Sequence, residues 1–130
     1  QALIIDDEPD VGASLADILE LMGLKARVVP EWVSVKETLA DAEYDIIFSD
    51  LRMPGTGGIE IYRQILEERY DLGARFVMVT GDMIGARGEL EVFPAHARPQ
   101  ILEKPFSTLD VRSVLAAIND QVTIPRLRQP

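Results

Sequence analysis

Charged and hydroxyl side chains that could take part in chemistry stand at the ends of four short apolar runs. They are the acidic pair Asp6 and Asp7, then Asp50, Thr80 and Lys104. Because ligands bind beyond the carboxyl ends of the strands in a parallel sheet, we expect these side chains to meet at one edge. Clustered carboxylates raise one another's pKa unless a cation neutralises them. Mg²⁺ prefers oxygen ligands and suits such a cluster.

A lysine and a threonine complete this set. The Lys104 ammonium is a compact charge with three donors, which suits a phosphoryl oxygen, and the Thr80 hydroxyl can donate to another oxygen. The set predicts transfer of a phosphoryl group to the Asp50 carboxylate, a reaction that depends on charge neutralisation and positioning. Each residue alone has a simpler explanation, because aspartate often begins a turn and acidic residues favour the start of a helix.

The elements that position these residues alternate between strand and helix patterns. Apolar runs bounded by turn residues predict strands at 2–5, 25–29, 46–50, 76–79 and 100–102. Helical spacing predicts helices at 9–22, at 59–70 and from 107 or 108 onward, and the capping-box spacing of Ser34 and Glu37 predicts another to about residue 42. This alternation predicts an α/β fold with a parallel sheet, right-handed crossovers and helices on both faces.

The segment 83–99 is unlike the rest of the chain. It contains Gly85, Gly88, Pro94 and Pro99, and inside a helix glycine costs about 1 kcal/mol and proline about 3 kcal/mol. At most a short helix is expected, at 87–93. With few apolar residues to hold it, the segment is predicted to be the most mobile part of the domain.

The composition indicates one domain without disulfides. The 130 residues carry a net charge of −9 and no cysteine, so neither a disulfide framework nor a thiolate metal site is expected. The acidic balance argues against nucleic-acid binding by this domain, and no apolar run is long enough for membrane insertion. Without a signal peptide pattern, we expect a cytoplasmic domain at 1–121 and a tail or linker at 122–130. Gln1 in place of an initiator methionine indicates a trimmed or longer chain.

Four motifs together carry a resemblance to a known family. They are Asp6-Asp7-Glu8-Pro9, Ser49-Asp50-Leu51-Arg52-Met53-Pro54-Gly55, Val79-Thr80-Gly81 and Glu103-Lys104-Pro105-Phe106. Their order, their spacing and their placement at strand ends resemble those of the receiver domain of two-component response regulators. The resemblance covers residues 2 to about 121. The resemblance implies a flavodoxin-like, doubly wound sheet of five parallel strands in the order 2-1-3-4-5, here with a short or irregular fourth helix.

The resemblance also implies a role for each acidic residue. Asp50 would be the phosphoacceptor, and a histidine kinase or a histidine phosphotransfer domain would supply the phosphoryl group. Asp7, Asp50 and the backbone carbonyl of Arg52 would bind Mg²⁺ directly, for which Mn²⁺ could substitute, and Asp6 would act through water.

Further roles follow for the residues at the other strand ends. Thr80 and Lys104 would hold the phosphoryl group, and Pro105 would follow a cis peptide bond, which proline alone makes accessible. Thr80 is also the family's switch position, usually with an aromatic residue three positions before the lysine. That position is Ile101 here, which calls the usual coupled movement into question. Thr80-Gly81-Asp82 and the stretch from Arg98 to Pro105 resemble the receivers of hybrid histidine kinases.

Arg52 and Asp82 are the predicted rim of the pocket. Each lies two residues after a site residue, on neighbouring loops of the receiver fold. Their opposite charges predict a salt bridge across the pocket mouth, which would shield a phosphorylated Asp50 from water. The alternatives are that Asp82 orients the attacking water and speeds hydrolysis, or that both side chains are simply solvated.

Two other functions use the same residues. An aspartyl-phosphate phosphatase of the haloacid dehalogenase type resembles this site, but carries a second aspartate where this chain has Arg52. A receiver-like binding module that is never phosphorylated is the other alternative, and the presence of all five site residues argues against it. A dinucleotide-binding domain is excluded because no Gly-x-Gly-x-x-Gly follows the first strand.

Overall fold

The computed structural model describes residues 1–40 and 42–121, so the predicted tail at 122–130 lies outside the described residues. Five strands form one parallel sheet in the order β2-β1-β3-β4-β5. This is the predicted strand order. The strands are β1 (Ala2–Ile5), β2 (Ala26–Val29), β3 (Ile46–Asp50), β4 (Phe76–Thr80) and β5 (Gln100–Glu103).

Within residues 1–40 and 42–121, six α-helices connect or follow these strands. They are α1 (Pro9–Leu21), α2 (Val35–Thr38), α3 (Gly58–Glu68), α4 (Tyr70–Gly73), α5 (Met83–Glu89) and α6 (Thr108–Gln121). Two turns of 3-10 helix, Leu90–Val92 and Ala95–Ala97, lie between α5 and β5. Among the described residues, every helix is too short or too polar to span a lipid bilayer.

Apolar side chains cover both faces of the sheet. On one face, α1 and α6 pack through residues such as Leu15 and Val111 against Phe48. On the other face, α2, α3, α4 and α5 pack against strand residues such as Ile47. Because both faces are covered, the strands are almost continuously apolar, as is typical of parallel sheets. The polar residues that follow them are therefore confined to the sheet edges.

The first helix starts and packs as its sequence dictates. Pro9 occupies the first turn, where its missing N–H leaves no helical hydrogen bond unmade. Gly12 faces β2 so closely that a Cβ there would lie 2.6 Å from Cγ1 of Val28. Gly23, at a φ of 89°, ends the helix turn. The tight packing on β2 holds the acidic loop that precedes α1 at the sheet edge.

Two helices are shorter than the sequence predicts. In α2 the Ser34 hydroxyl accepts from the Glu37 amide, as the capping box predicts, but the helix ends at Thr38. There the amide of Ala40 donates to the carbonyl of Glu37, which tightens the last turn and redirects the chain. The predicted helix at 59–70 breaks at Arg69, whose φ and ψ of −140° and 65° are not helical.

The segment 83–99 begins its helix four residues earlier than predicted. The carboxylate of Asp82 accepts from the amide of Gly85 at 3.0 Å and caps α5. This cap starts the helix at Met83, and the two glycines are accommodated within it. The predicted short helix is confirmed and residues 87–92 are helical, but the predicted start at residue 87 was wrong because the Asp82 cap was overlooked.

Side chains on α3 anchor the rest of this segment. Leu90 and Phe93 are buried in the core, and the Tyr62 ring lies 4.9 Å from that of Phe76 and 5.0 Å from that of Phe93. The Tyr62 hydroxyl donates to the carbonyl of Ala97, and burial raises the pKa of Tyr62 to about 12, which keeps this donor protonated. The mobility of the segment stays a prediction, but its premise, a lack of apolar anchors, was wrong.

We expect Phe93→Ala to lower the free energy of unfolding by about 3–5 kcal/mol, because it leaves a cavity beside Tyr62. The matched control is Val92→Ala, at the position just before Phe93, where the valine is 65% exposed. This change should alter the free energy of unfolding by about 0.5 kcal/mol or less. Urea unfolding followed by circular dichroism measures both. Similar losses in the two variants would contradict the anchoring of this segment by Phe93.

Candidate functional site

The carboxyl ends of β1, β3, β4 and β5 bring the predicted polar residues together. A pocket at this edge is lined by Glu8, Asp50, Arg52, Thr80, Gly81, Asp82 and Lys104. The parallel register explains this convergence, since Asp50 pairs with Val79 and Thr80 pairs with Glu103, immediately before Lys104. Residues far apart in sequence thereby share one small volume.

The Lys104 ammonium lies among three carboxylates. Its Nζ is 3.2 Å from Asp50 Oδ1, 3.4 Å from Glu8 Oε1 and 3.7 Å from Asp6 Oδ2. The Lys104 amide donates to the Thr80 carbonyl at 2.7 Å, which fixes the start of the loop. The Lys104–Pro105 bond is cis, as the resemblance implied. This cation neutralises part of the negative charge that the strands bring together.

Burial dominates the electrostatics of the two inner aspartates. Desolvation raises the pKa of Asp50 above its usual 3.8, although the nearby Lys104 lowers it. Desolvation also raises the pKa of Asp6, and the amide of Glu8, which donates to Asp6 Oδ1 at 2.8 Å, partly offsets this. Burial lowers the pKa of Lys104, but Asp50 and Asp6 outweigh it and leave that pKa raised. The site is short of positive charge.

Four carboxylates form an oxygen cluster that fits a hard divalent cation. Asp6, Asp7, Glu8 and Asp50 each place one carboxylate oxygen within 4.8 Å of the others. Asp6 and Asp50 are buried, and Asp7 and Glu8 are exposed. Oxygen ligands from two or three carboxylates, with room for water, suit Mg²⁺. Burial raises the pKa of Asp6 and of Asp50 because it leaves their charges poorly solvated, and a cation in the cluster would neutralise that charge.

Glu8 has no role in the site predicted from the sequence, yet its carboxylate contacts Lys104. It was part of the quoted acidic motif, and the signal that could have identified it is its place directly after Asp6 and Asp7 at the end of β1. Its carboxylate shares Lys104 with Asp50 and Asp6. Glu8 therefore belongs to the charge balance of the pocket.

The Thr80 hydroxyl links the pocket to the start of α5. Its Oγ1 accepts from the Asp82 amide at 3.0 Å and lies 3.4 Å from the Asp82 carbonyl, a long donor contact. The hydroxyl proton is thus weakly held and can turn to an oxygen in the pocket. Ile101 is half-buried against the core on the side of α3 and brings no polar group.

The salt bridge predicted between Arg52 and Asp82 is not formed. Both residues line the pocket, but Arg52 Nη1 pairs with Glu89 Oε1 at 3.1 Å. The Asp82 carboxylate is turned toward the start of α5 instead, where its Oδ1 accepts from the Gly85 amide. A capping hydrogen bond is short-range and worth about 1 kcal/mol, at least as much as an exposed ion pair, at about 0–1 kcal/mol.

Comparison with known families identifies this arrangement. The model of the family described as "response regulator receiver domain" matches residues 2–116 of the chain. The chain belongs to the response regulator receiver domain family. Its flavodoxin-like fold, with the strand order 2-1-3-4-5, is that of the family's solved members.

Relatives of this receiver domain include regulators from Pseudomonas aeruginosa. It is 28% identical over 130 residues to the response regulator protein PilR, and the match covers 100% of this chain and 27% of PilR. It is 28% identical over 123 residues to the phosphate regulon transcriptional regulatory protein PhoB, covering 89% of this chain and 50% of PhoB. The chain therefore spans half or less of the length of these relatives.

Solved structures share the architecture of this receiver domain. A sensor protein from Polaromonas sp. superposes with a TM-score of 0.75 at 26% identity, covering 93% of this chain and 97% of that one. The response regulator TrrA from Thermotoga maritima, in complex with Mg²⁺ and BeF, superposes with a TM-score of 0.76 at 20% identity, covering 90% and 96%. The second likeness shows the fold alone.

Asp50→Asn should stabilise the metal-free receiver domain at pH 7. The folded-state pKa of Asp50 is raised by burial, so stability falls as the pH rises from 3.8 through that raised value and stays lower above it. The asparagine removes this loss, and the difference should vanish below pH 3.8. Urea unfolding in EDTA measures it, with the exposed Asp17→Asn as control.

Added Mg²⁺ should reverse this order. A cation that binds only the folded state stabilises that state, and Asp50→Asn removes one carboxylate of the oxygen cluster. On addition of Mg²⁺, the free energy of unfolding should rise more for the wild type than for the variant. A metal-free Asp50→Asn variant that is less stable than wild type at pH 7 would contradict the charge shortage in this pocket.

Proposed function

We propose that this receiver domain accepts a phosphoryl group on Asp50 from a phosphohistidine of a histidine kinase or a histidine phosphotransfer domain. The observation that carries the proposal is the Lys104 ammonium, 3.2 Å from the Asp50 carboxylate in a pocket that also contains Thr80 and the oxygen cluster. Phosphoryl transfer depends on charge neutralisation and in-line positioning, and these groups supply both.

The transfer exchanges one bond to phosphorus for another. A carboxylate oxygen of Asp50 attacks the phosphorus, the P–N bond to the donor imidazole breaks, and its electron pair stays on the imidazole nitrogen. The product is an acyl phosphate on Asp50. Lys104 would move from the Asp50 carboxylate to a phosphoryl oxygen, and the Thr80 hydroxyl would donate a hydrogen bond to another phosphoryl oxygen.

The chain's own oxygens would hold the metal. Asp7, Asp50 and the backbone carbonyl of Arg52 would bind Mg²⁺, or Mn²⁺ in its place, and Asp6 would act through water. Bound Mg²⁺ supplies positive charge to the phosphoryl oxygens. Until then Lys104 partly balances Asp6 and Asp50, so metal binding would free its ammonium for the phosphoryl group.

The return reaction would be the domain's own hydrolysis of this bond. Water attacks the phosphorus, the bond to the Asp50 oxygen breaks, and inorganic phosphate leaves. The domain would thus catalyse its own phosphorylation and dephosphorylation without being a conventional enzyme. Its net charge of −9 disfavours nucleic-acid binding by this domain.

We place the domain in the cytoplasm, as part of a longer two-component protein. Its matches are to segments of regulators such as PilR. The likeness to a sensor protein from Polaromonas sp. supports the receiver of a hybrid histidine kinase as one such chain. In either case the phosphorylated domain would switch a partner or an output domain.

Phosphorylation should require Asp50 and a divalent cation. With acetyl phosphate and Mg²⁺, intact mass spectrometry should show the gain of one phosphoryl group. Asp50→Asn and addition of EDTA should each abolish it. A gain that persists in the variant, or is equal in EDTA, would exclude this acceptor site, and no gain in wild type would favour a binding module.

Lys104→Met should slow this phosphorylation by about 10²-fold, the usual cost of losing one charged or polar group that stabilises a transition state. The control is Lys36→Met, which removes an exposed lysine on α2 that does not line the pocket. The rate of mass gain at fixed acetyl phosphate and Mg²⁺ measures both. Equal rates in the two variants would remove Lys104 from the proposed chemistry.

A further inference from the structure

Helix α5 depends on contacts outside itself. It has seven residues, and two of them are Gly85 and Gly88. Glycine inside a helix costs about 1 kcal/mol relative to alanine, and helices this short do not persist alone in water. Ala86 is its buried side chain, so what holds its two ends decides how firmly it is placed.

The pocket supplies a contact at each end of α5. At the start, the Asp82 carboxylate caps Gly85, and the Asp82 amide donates to the Thr80 hydroxyl. At the end, the Glu89 carboxylate pairs with the Arg52 guanidinium at 3.1 Å. Thr80, Asp82 and Arg52 all line the pocket. The helix is therefore attached to the site at both ends.

Arg52 contributes its backbone to one part of the structure and its side chain to another. Its backbone belongs to the loop that follows Asp50 at the end of β3, the loop whose carbonyl is assigned to Mg²⁺ in the proposed function. Its side chain leaves that loop and reaches Glu89, 37 residues further along the chain. One residue thus joins the metal-binding loop to the far end of α5.

We propose that Arg52 is a positioning residue whose ion pair with Glu89 couples metal binding in the pocket to the placement of α5. The proposal rests on the proposed function for the identity of the metal. When the Arg52 carbonyl binds Mg²⁺, the loop is fixed, the guanidinium is held toward Glu89, and α5 is ordered. Conversely, a pair that holds the loop in place favours Mg²⁺ binding, because coupling between two sites is reciprocal.

The expected effect is small and measurable. The Arg52 and Glu89 side chains are 61% and 41% exposed. Exposed pairs contribute about 0–1 kcal/mol, which is up to about fivefold in an equilibrium constant. We therefore expect Glu89→Gln and Arg52→Gln each to lower Mg²⁺ affinity by about two- to fivefold, and the double variant to lower it no further.

A matched ion pair on α3 provides the control. Arg63 pairs with Glu60 at 3.4 Å, with 46% and 48% exposure, and neither residue lines the pocket. Glu60→Gln removes a pair of the same kind, so it should leave Mg²⁺ affinity unchanged. The swap of Arg52→Glu with Glu89→Arg should restore the slow metal-free amide exchange at residues 86–90 that each single change loses, which a general loss of folding would not do.

Two measurements on the same proteins test the proposal. Calorimetric titration with Mg²⁺ gives the affinities. Amide hydrogen exchange at residues 86–90 reports α5, and without metal it should be about two- to fivefold faster in Glu89→Gln and Arg52→Gln than in wild type. Mg²⁺ should slow this exchange in wild type and in Glu60→Gln, and by less than half as much in the two pair variants.

The outcomes separate this proposal from the proposed function. Mg²⁺ binding that is equal in wild type and Glu89→Gln overturns the coupling but leaves phosphorylation of Asp50 intact. A wild type that binds no Mg²⁺ overturns the metal assignment and the coupling together. Equal metal-free exchange at 86–90 in all variants shows that the pair does not hold α5, and the proposal fails even if Mg²⁺ binds.

Discussion

The site depends on the shortage of positive charge at one edge of the sheet. Asp6 and Asp50 are 3% and 5% exposed, and burial raises the pKa of both because water no longer solvates their charge. Lys104 is shared among these two carboxylates and Glu8, so it neutralises none of them fully. Such a cluster favours any cation that can enter, and a metal and a phosphoryl group together can rearrange it.

The parallel sheet makes this concentration of charge possible. Both of its faces are covered by apolar layers, and each strand ends at the same edge in register with its neighbours. A polar residue that directly follows one of these strands therefore lies at that edge of the sheet. The core stabilises the fold strongly enough to hold carboxylates in a position that costs free energy when no cation is bound.

Helix α5 shows how a weak element is made part of this site. Its glycines and short length give it little stability of its own. The segment that follows is anchored by Phe93 and Leu90 in the core and by the Tyr62 hydroxyl, while α5 itself is attached to the pocket through Asp82 and Glu89. Elements of low intrinsic stability respond most to changes in their attachments.

The sequence by itself determined the strands, their alternation with helices and the pocket residues Asp50, Thr80 and Lys104. These follow from local patterns, because a buried strand is an apolar run and the residue after it lies at the sheet edge. The resemblance added the strand order and the cis bond before Pro105, which the structure also has.

Only the tertiary structure decided how the flexible charged side chains pair. Arg52 pairs with Glu89, and the Asp82 carboxylate, which the sequence offered as its partner, is turned to the Gly85 amide at the start of α5. Glu8 meets Lys104 across 96 residues of sequence, a contact that no local pattern encodes. Long side chains at a surface choose among partners of similar energy. The packing of the elements that carry them, and not their spacing in the sequence, sets which partner is within reach.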